Sequence, residues 1–530
     1  MALAVPDSLA GLPASWFIIA GVVGLLAFLP RNKYYGGLNR YPGPVLASFT
    51  NWWRFFCVLR RKSNFEIREL HEKHGDVVRL GPDCLSFSSP EAMKAIYGLN
   101  NRLAKSEFYP VQMQISRGKI LQSLFGTTDN DYHARLRRTV SNAFSMSTMV
   151  QYEPRVDETA RVFLSQTSRL FAQPGAKCEF VKWLQYFAFD VITEVTYSRR
   201  VGFIDNFEDV DGIIAWLDKL FDYTTPVGQM PFLDKLLVKN PISTLLSKYG
   251  LIDNSSGTAR FSRARMAERL GEIAQKQKID EEDYIGSRGD LLTSFLKSQR
   301  NDPVFFDDGR VLTMAASVAL AGSDTTAISL AAVFYHLAKN PATNDRLRRE
   351  IDDAVSSGRL QDKDGIMSWT DAQKLPYLDA CIKEVFRIHP AIGFILERVV
   401  PPQGMDIDGH FIPGGTVVGC SPWTIHRRRE VYGDDVDDYR PERWLVDETV
   451  SAEAEHERIR VMTNTLFHFG GGSRTCLGKN IALLELYKLI PSFINRFEVK
   501  LANPNEEWEL HAAWFIKPHR FDVYITEREK

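Results

Sequence analysis

The chain has 530 residues, 44% of them hydrophobic and 25% charged, with a formal net charge of −1. That near-neutral balance excludes nucleic acid as the main partner, because a polyphosphate backbone calls for a basic surface. The apolar content is ample for a large core, and with neither a linker nor an internal repeat in sight the chain reads as one large domain, although ~150 residues per domain would suggest three.

Residues 1–7 form a short N-terminal tail. From Ser8 to Pro30 no residue is charged, and at ~1.5 Å per residue such a helix crosses a hydrocarbon core of ~30 Å. Residues 8–30 are therefore expected to be a transmembrane anchor. Arg31, Lys33 and Arg40 follow it, which places the bulk of the chain in the cytosol. A cleaved signal peptide is the competing reading, but no basic segment precedes the apolar run and no clear small-residue cleavage site follows it. Six cysteines without paired spacing agree with reduced thiols in a cytosolic setting. Residues 31–63 read as a hinge and membrane-proximal linker, stiffened by Tyr41-Pro-Gly-Pro44. Arg54, Arg60, Arg61 and Lys62 suit either anionic lipid head groups or a plain solvated face. Residues 64–530 form the main domain.

Within it, Val77–Leu80 and Cys84–Ser88 are strand-like around the turn residues Gly81-Pro82-Asp83. The loop-rich stretch Ser106–Gly126 carries Phe108, Ile115 and Phe125, whose side chains read equally as core or as a pocket. His133 and Arg137 stand four apart, on one helical face; such a pair is either solvated or aimed at a carboxylate, which a bidentate guanidinium suits. Asn254-Ser-Ser256 is a glycosylation sequon, expected to stay unmodified in a cytosolic domain. Gly257 to Asp290 is polar and charged and reads as exposed helix and loop.

From Val311 to Leu337 the only charged residue is Asp324. A second membrane span is disfavoured, since an acid at its centre costs ~2.5 kcal/mol or more; a long helix through the core fits better. Its centre reads Ala321-Gly-Ser-Asp-Thr-Thr326. Gly322 removes a side chain there, and the Thr325 hydroxyl is expected to bond one turn back and open the helical ladder. The alternative is a polar kink in a core helix. Leu375–Pro390 reads as a helix with Glu384 and Arg387 at i and i+3, ordinarily a surface pair. Ala391–Leu396 is apolar and includes Ile392 and Phe394, and Arg398 follows. Asp406–Ile412 with Thr416–Val418 reads as a β-hairpin. Near the C-terminus Trp514, Phe515 and Ile516 are either strand core or pocket wall.

The densest signal is Phe469-Gly-Gly-Gly-Ser-Arg-Thr-Cys-Leu-Gly478, followed by a helical pattern at Leu483, Leu486 and Ile490. Glycines let a backbone approach a flat ligand closely. A cysteine at a helix N-terminus beside an arginine has its thiolate favoured, which makes Cys476 a nucleophile or a metal ligand, where a lone cysteine would more often be buried packing.

Phe469, Gly472, Arg474, Cys476 and Gly478 resemble, position for position, the haem-binding loop of the cytochrome P-450 superfamily, and the other blocks follow in that family's order across about residues 40–525. The resemblance implies a mainly α fold with small β-sheets (α+β), one large haem domain behind an N-terminal transmembrane helix, with haem b (heme) as cofactor. It implies Cys476 as the iron's thiolate ligand, pushing electron density that helps cleave the O–O bond. It makes Asp324 and Thr325 an acid–alcohol pair relaying protons, with Gly322 leaving room for O2. His133, Arg137, Arg398 and Arg474 are the expected propionate anchors. Glu384, Arg387 and the arginine of Pro441-Glu-Arg443-Trp444 form a structural ionic network, tolerable in a core when its hydrogen bonds are satisfied. Phe108, Ile115, Phe125, Ala321, Ile392, Phe394 and Trp514 are pocket candidates. His133 and Trp444 stand where the family more often has tryptophan and phenylalanine, swaps that keep the chemistry. Phe189–Glu194 and Gly202-Phe203 are similar to fungal secondary-metabolism members such as pisatin demethylase.

The family's activity would be monooxygenation of a hydrophobic small molecule, with electrons from NADPH through a reductase and cytochrome b5 as a candidate second donor, at the endoplasmic reticulum membrane. Arg135, Arg138 and Lys479 would face an acidic reductase surface. A haem-thiolate isomerase or dehydratase is the nearest rival, disfavoured by the intact acid–alcohol pair. A haem-based sensor is a third reading, disfavoured by the same motif.

Overall fold

The computed structural model describes residues 14–275 and 289–529; the expected N-terminal tail and the start of the anchor lie outside them. Helix dominates. The helices that frame the site are α1 (Ala14–Lys33), α2 (Trp52–Leu59), α3 (Asn130–Val140), α4 (Glu153–Phe171), α5 (Phe180–Tyr197), α6 (Ile213–Gly228), α7 (Gly257–Gln275), α8 (Asp308–Lys339), α9 (Pro376–Ile388) and α10 (Lys479–Arg496).

The central helix α8 starts where Asp307 caps it, its carboxylate accepting from Arg310 N at 2.9 Å. Apolar on nearly all faces, it belongs in a core, and it packs against α5, α7, α9 and α10. Among the described residues it is the one helix long and apolar enough to cross a membrane, yet 67% of its most apolar stretch is buried in the protein. The core reading of Val311–Leu337 stands over a second span. Helix α5 is likewise buried on almost every side, its aromatics Trp183, Phe187 and Phe189 closing on Phe163 and Phe203.

The main sheet has the order β1 (Val77–Gly81), β2 (Cys84–Phe87), β7 (Val417–Cys420), β4 (Arg398–Val399), β3 (Ala104–Lys105). Strands β1 and β2 pair antiparallel, as their turn residues suggested, while β7 runs parallel to β2. This corrects the expected hairpin: β5 (Met405–Ile407) pairs only with β6 (His410–Ile412), and the chain then leaves for the main sheet. The extended stretch after Gly415 has Val418 and Cys420 fully buried, so it is paid in core contacts rather than hairpin pairing. A C-terminal hairpin joins β8 (Glu509–Ala512) to β9 (Ile516–His519).

Two further expectations change. The segment 31–63, read as a hinge and membrane-proximal linker, packs onto the body: Leu38, Ala47, Cys57 and Val58 are buried, and Arg79 donates to the carbonyls of Asn32 and Lys33, each at 2.8 Å. Arg54 is buried in an ion pair with Glu397 and Arg61 is paired with Asp222 at 2.8 Å, so neither is offered to lipid. In the polar stretch after Gly257, α7 is half-sunk, with Thr258, Ala259, Ser262 and Arg269 buried and Arg269 paired to buried Asp290 at 2.5 Å.

Candidate active site

The loop before α10 is shaped by its backbone. Gly472 has φ +61°, and a β-carbon there would collide with the carbonyl oxygen of Tyr97. A short turn over Gly472–Arg474 follows, and Cys476 N donates to Phe469 O at 2.9 Å, closing the loop. Of the six cysteines, five are buried and only Cys476 is exposed. Burial nevertheless pushes its thiol up, against the amides of Gly478 and Lys479 and the charge of Arg137, which pull it down. The helix terminus and a neighbouring arginine thus act on this thiol in the expected direction, against desolvation. The expected arginine is a different one. Arg474 reaches away to Thr127 O at 3.2 Å and Asn130 Oδ1 at 2.8 Å, whereas Arg137 Nη1 donates to Thr475 O at 2.8 Å, beside the cysteine.

Helix α3 delivers His133 and Arg137 from one face. It is started by Asp129, whose carboxylate accepts from the amides of Asp131 and Tyr132. Buried His133 is pushed down to about 3 by burial and by the charges of Arg474, Lys105, Arg137 and Arg398. Arg398, 5% exposed, leaves β4 with its guanidinium 5.1 Å from the Tyr97 ring. Arg474 falls to about 10 through burial and the nearby Arg398. Lys105, absent from the sequence-derived set, completes the cluster. Its ammonium lies 4.0 Å from the Tyr109 ring and 4.1 Å from that of Phe125, donates to Phe125 O at 2.7 Å, and is held well below its ordinary value by burial, Arg398 and Arg474. Only its place beside β4 reveals it; no local motif does. Among the described residues neither His133, a neutral donor, nor the basic side chains of Lys105, Arg137, Arg398 and Arg474 make an ion pair with an acid. Buried cations without counter-ions are costly, and such a cluster suits a ligand carrying carboxylates.

On α8 the Thr325 hydroxyl donates to Ala321 O at 2.8 Å, as its position implied, but the helix runs on without interruption. Gly322 also serves the packing of two helices. A β-carbon there would lie 2.8 Å from Ile192 Cγ1, so the glycine lets α5 close on α8. Asp324 is 3% exposed and accepts from Gln185 Nε2. Burial pushes its carboxyl up, with Lys517 pulling it down. Asp324 and Thr325 thus bond to different partners. Ala321 is exposed and Thr325 half-buried in mid-helix, where the neighbouring positions are packed.

Phe108, Phe125, Phe394 and Trp514 meet in one aromatic cluster: Trp514 lies 5.2 Å from Phe108, 5.7 Å from Phe125 and 6.1 Å from Phe394. Phe125 is 39% exposed while Phe108, Phe394 and Trp514 are buried, so they back the wall more than they face it. Ile392 bridges to Phe515. Ile115 lies apart, buried, with its carbonyl accepting from Ser256 N at 2.9 Å near the start of α7. Phe469 packs 5.3 Å from Phe386 on α9.

The ionic network is fully buried. Arg387 donates twice to Glu384, at 2.9 and 2.7 Å, and Arg443 Nε donates at 3.2 Å. Trp444 Nε1 adds a 2.9 Å bond and Arg440 N a 3.0 Å bond to the same carboxylate. Trp444 is thus a working member, a role its sequence position concealed. Arg387 also holds the carbonyls of Val436 and Asp438 at 2.6 and 2.9 Å, tying down the segment that leads to the cysteine loop.

The residues present fit a haem: an open thiol on a glycine-shaped loop, and beside it basic side chains that no acid pairs with among the described residues, suited to the two propionates. The family profile for cytochrome P-450 matches residues 46–521. The chain is 41% identical to cytochrome P-450 monooxygenase cicH of Emericella nidulans, over 97% of each chain. It is 40% identical to a cytochrome P-450 monooxygenase of Aspergillus terreus, over 91% of this chain and 94% of that one. Against cytochrome P-450 monooxygenase mpaDE of Penicillium brevicompactum it is 34% identical, over 97% of this chain but 58% of that longer protein. The chain belongs to the cytochrome P-450 family and is an oxidoreductase of its monooxygenase kind.

Proposed function

We propose that this chain is a membrane-anchored monooxygenase that inserts one oxygen atom of O2 into a hydrophobic small molecule, with NADPH-derived electrons, in secondary-metabolite biosynthesis or detoxification. The observation that carries the reading is the exposed Cys476 thiol beside the cluster of basic side chains that lack ion-paired acids among the described residues. When bound, haem b supplies the iron at which dioxygen is activated. Cys476 would supply the thiolate that holds the iron, coordination by the metal deprotonating its thiol. His133, Arg137, Arg398 and Arg474, with Lys105, would hold the propionates, and Phe469 would pack at the loop. Asp324, raised by burial, is placed to take up and release protons. Thr325 offers the hydroxyl beside it. Ala321, Ile392 and Phe125 would line the substrate space in front of Phe108, Phe394 and Trp514.

Support for attachment to a membrane comes from the uncharged run 8–30 and from apolar side chains left in solvent. Val45 (79% exposed), Trp52 and Phe56 lie around α2, and Ile242, Tyr249 and Leu251 (70% exposed) lie beyond α6; α2 packs on α6. Exposed apolar area on that scale suits a lipid surface. We place the chain in the endoplasmic reticulum membrane, single-pass, with its body cytosolic. A reductase, and cytochrome b5 if it takes part, would meet Arg138 and Lys479, both exposed. Arg135 is already paired with Asp302 at 2.8 Å.

The test supplies purified chain with NADPH, a reductase, 18O2 and a panel of terpenoids, polyketides and phenolics. One 18O atom per product molecule is expected. Product that forms equally without NADPH and reductase would favour the isomerase reading instead.

A further inference from the structure

The buried acid of α8 is tied to the protein surface by one side chain. Asp324 Oδ1 lies 3.9 Å from the ammonium of Lys517 on β9, and that ammonium donates to Asp218 Oδ1 on α6 at 2.8 Å. The exposures are graded: 3% for the Asp324 side chain, 15% for Lys517 and 47% for Asp218. One cation, largely withdrawn from water, is therefore shared between a buried carboxylate and one that reaches solvent. The arrangement is held in place a turn further along α6, where Asp222 Oδ1 meets His511 Nε2 of β8 at 2.8 Å and Arg61 at 2.8 Å. The other side chain on Asp324, Gln185 from α5, brings no charge. Around Lys517 stand Asp209, which attracts it, and His519, which it repels.

A buried carboxylate with no counter-ion takes up a proton rather than stay charged. Lys517 is the one cation at ion-pair distance from Asp324 among the described residues, so the charge of this acid depends on where that ammonium sits. We propose that Lys517 is a positioning residue that sets the ionisation of Asp324, with Asp218 on the roof helix α6 competing for it. Approach of Lys517 to Asp324 holds the carboxylate; withdrawal toward Asp218 leaves a neutral acid able to donate. The inference rests on the reading of Asp324 as the proton-handling acid of the monooxygenase.

The experiment follows the Asp324 carboxyl by infrared spectroscopy of the full-length holoenzyme across pH, its C=O band assigned by loss in Asp324→Asn. Lys517→Met should raise the midpoint by about 1–3 units, Asp218→Asn should lower it, and Lys517→Arg should restore the wild-type value. A purely structural role would not give shifts of opposite sign. An unmoved midpoint in Lys517→Met, or movement in the same direction in Lys517→Met and Asp218→Asn, overturns the proposal. The CO spectrum of the same preparations separates the two levels. A thiolate-ligated haem with an unmoved Asp324 rejects this inference alone, whereas no such haem in the wild type rejects the monooxygenase reading.

Discussion

Position 472 admits only a residue without a β-carbon, for two independent reasons: φ is +61° and the Tyr97 carbonyl oxygen occupies the place of the side chain. Gly472→Ala should therefore destabilise by more than ~1 kcal/mol, read from denaturant unfolding; a neutral effect would contradict the loop geometry. Glu384 argues through charge. Burial alone would push its carboxyl up, but the hydrogen bonds and charge of Arg387, the charge of Arg443 and the amide of Arg440 hold it below the ordinary glutamate range. Glu384→Ala leaves buried Arg387 without a counter-ion and Arg443 with Asp435 alone, for an expected loss of ~3–5 kcal/mol near neutral pH. A group depressed in the folded state contributes its stability above its unfolded value and loses it as pH falls through the folded one. The gap between wild type and Glu384→Ala should then narrow in acid, below the ordinary glutamate range; a gap that widens there would refute the network. At this scale the i, i+3 spacing made Glu384 and Arg387 legible as a pair, while their place in a buried network was legible only through the family resemblance. Lys105 was not readable, because it reaches the cation cluster through sheet pairing with Arg398 and not through any local pattern.

Between elements, the same residue type can serve a purpose invisible in its own segment. Gly322 was legible as a gap in α8, but the neighbour that needs the gap, Ile192, sits on α5. Alanine gains up to ~1 kcal/mol over glycine in a helix interior, so Gly322→Ala should stabilise once the neighbour is trimmed. In a double-mutant cycle of Gly322→Ala with Ile192→Ala, a coupling of about 1–2 kcal/mol is expected, measured by thermal or denaturant unfolding. Strict additivity would show that the helices are not in close contact there. The misread hairpin has a similar cause. The β-branched run Thr416–Val418 reads as a strand, yet which strand it joins depends on the parallel pairing with β2, a long-range choice that local turns do not encode. Helix α7 was read as exposed because it is polar, while Arg269 is satisfied inside by Asp290, the Tyr197 carbonyl and Thr293.

Across the whole molecule, the motifs were ordered well enough for the family to be read before any coordinates, since a haem-binding loop, an acid-bearing core helix and an ionic brace are all short-range patterns. What they could not supply was the convergence of distant segments: an aromatic wall drawn from Phe108, Phe394 and Trp514, and an acid on α8 governed by a lysine on the last hairpin. These depend on chain reversals hundreds of residues long. The account as a whole turns on one bond, from Cys476 to a haem iron. The most direct measurement is the absorption of reduced, CO-treated protein, for the wild type and for Cys476→Ala, Cys57→Ala and Cys420→Ala. The band of a thiolate-ligated haem should appear in the wild type, survive loss of either buried cysteine, and vanish with Cys476→Ala alone. A band that persists in Cys476→Ala, or a folded wild type that takes up no haem, would contradict the account.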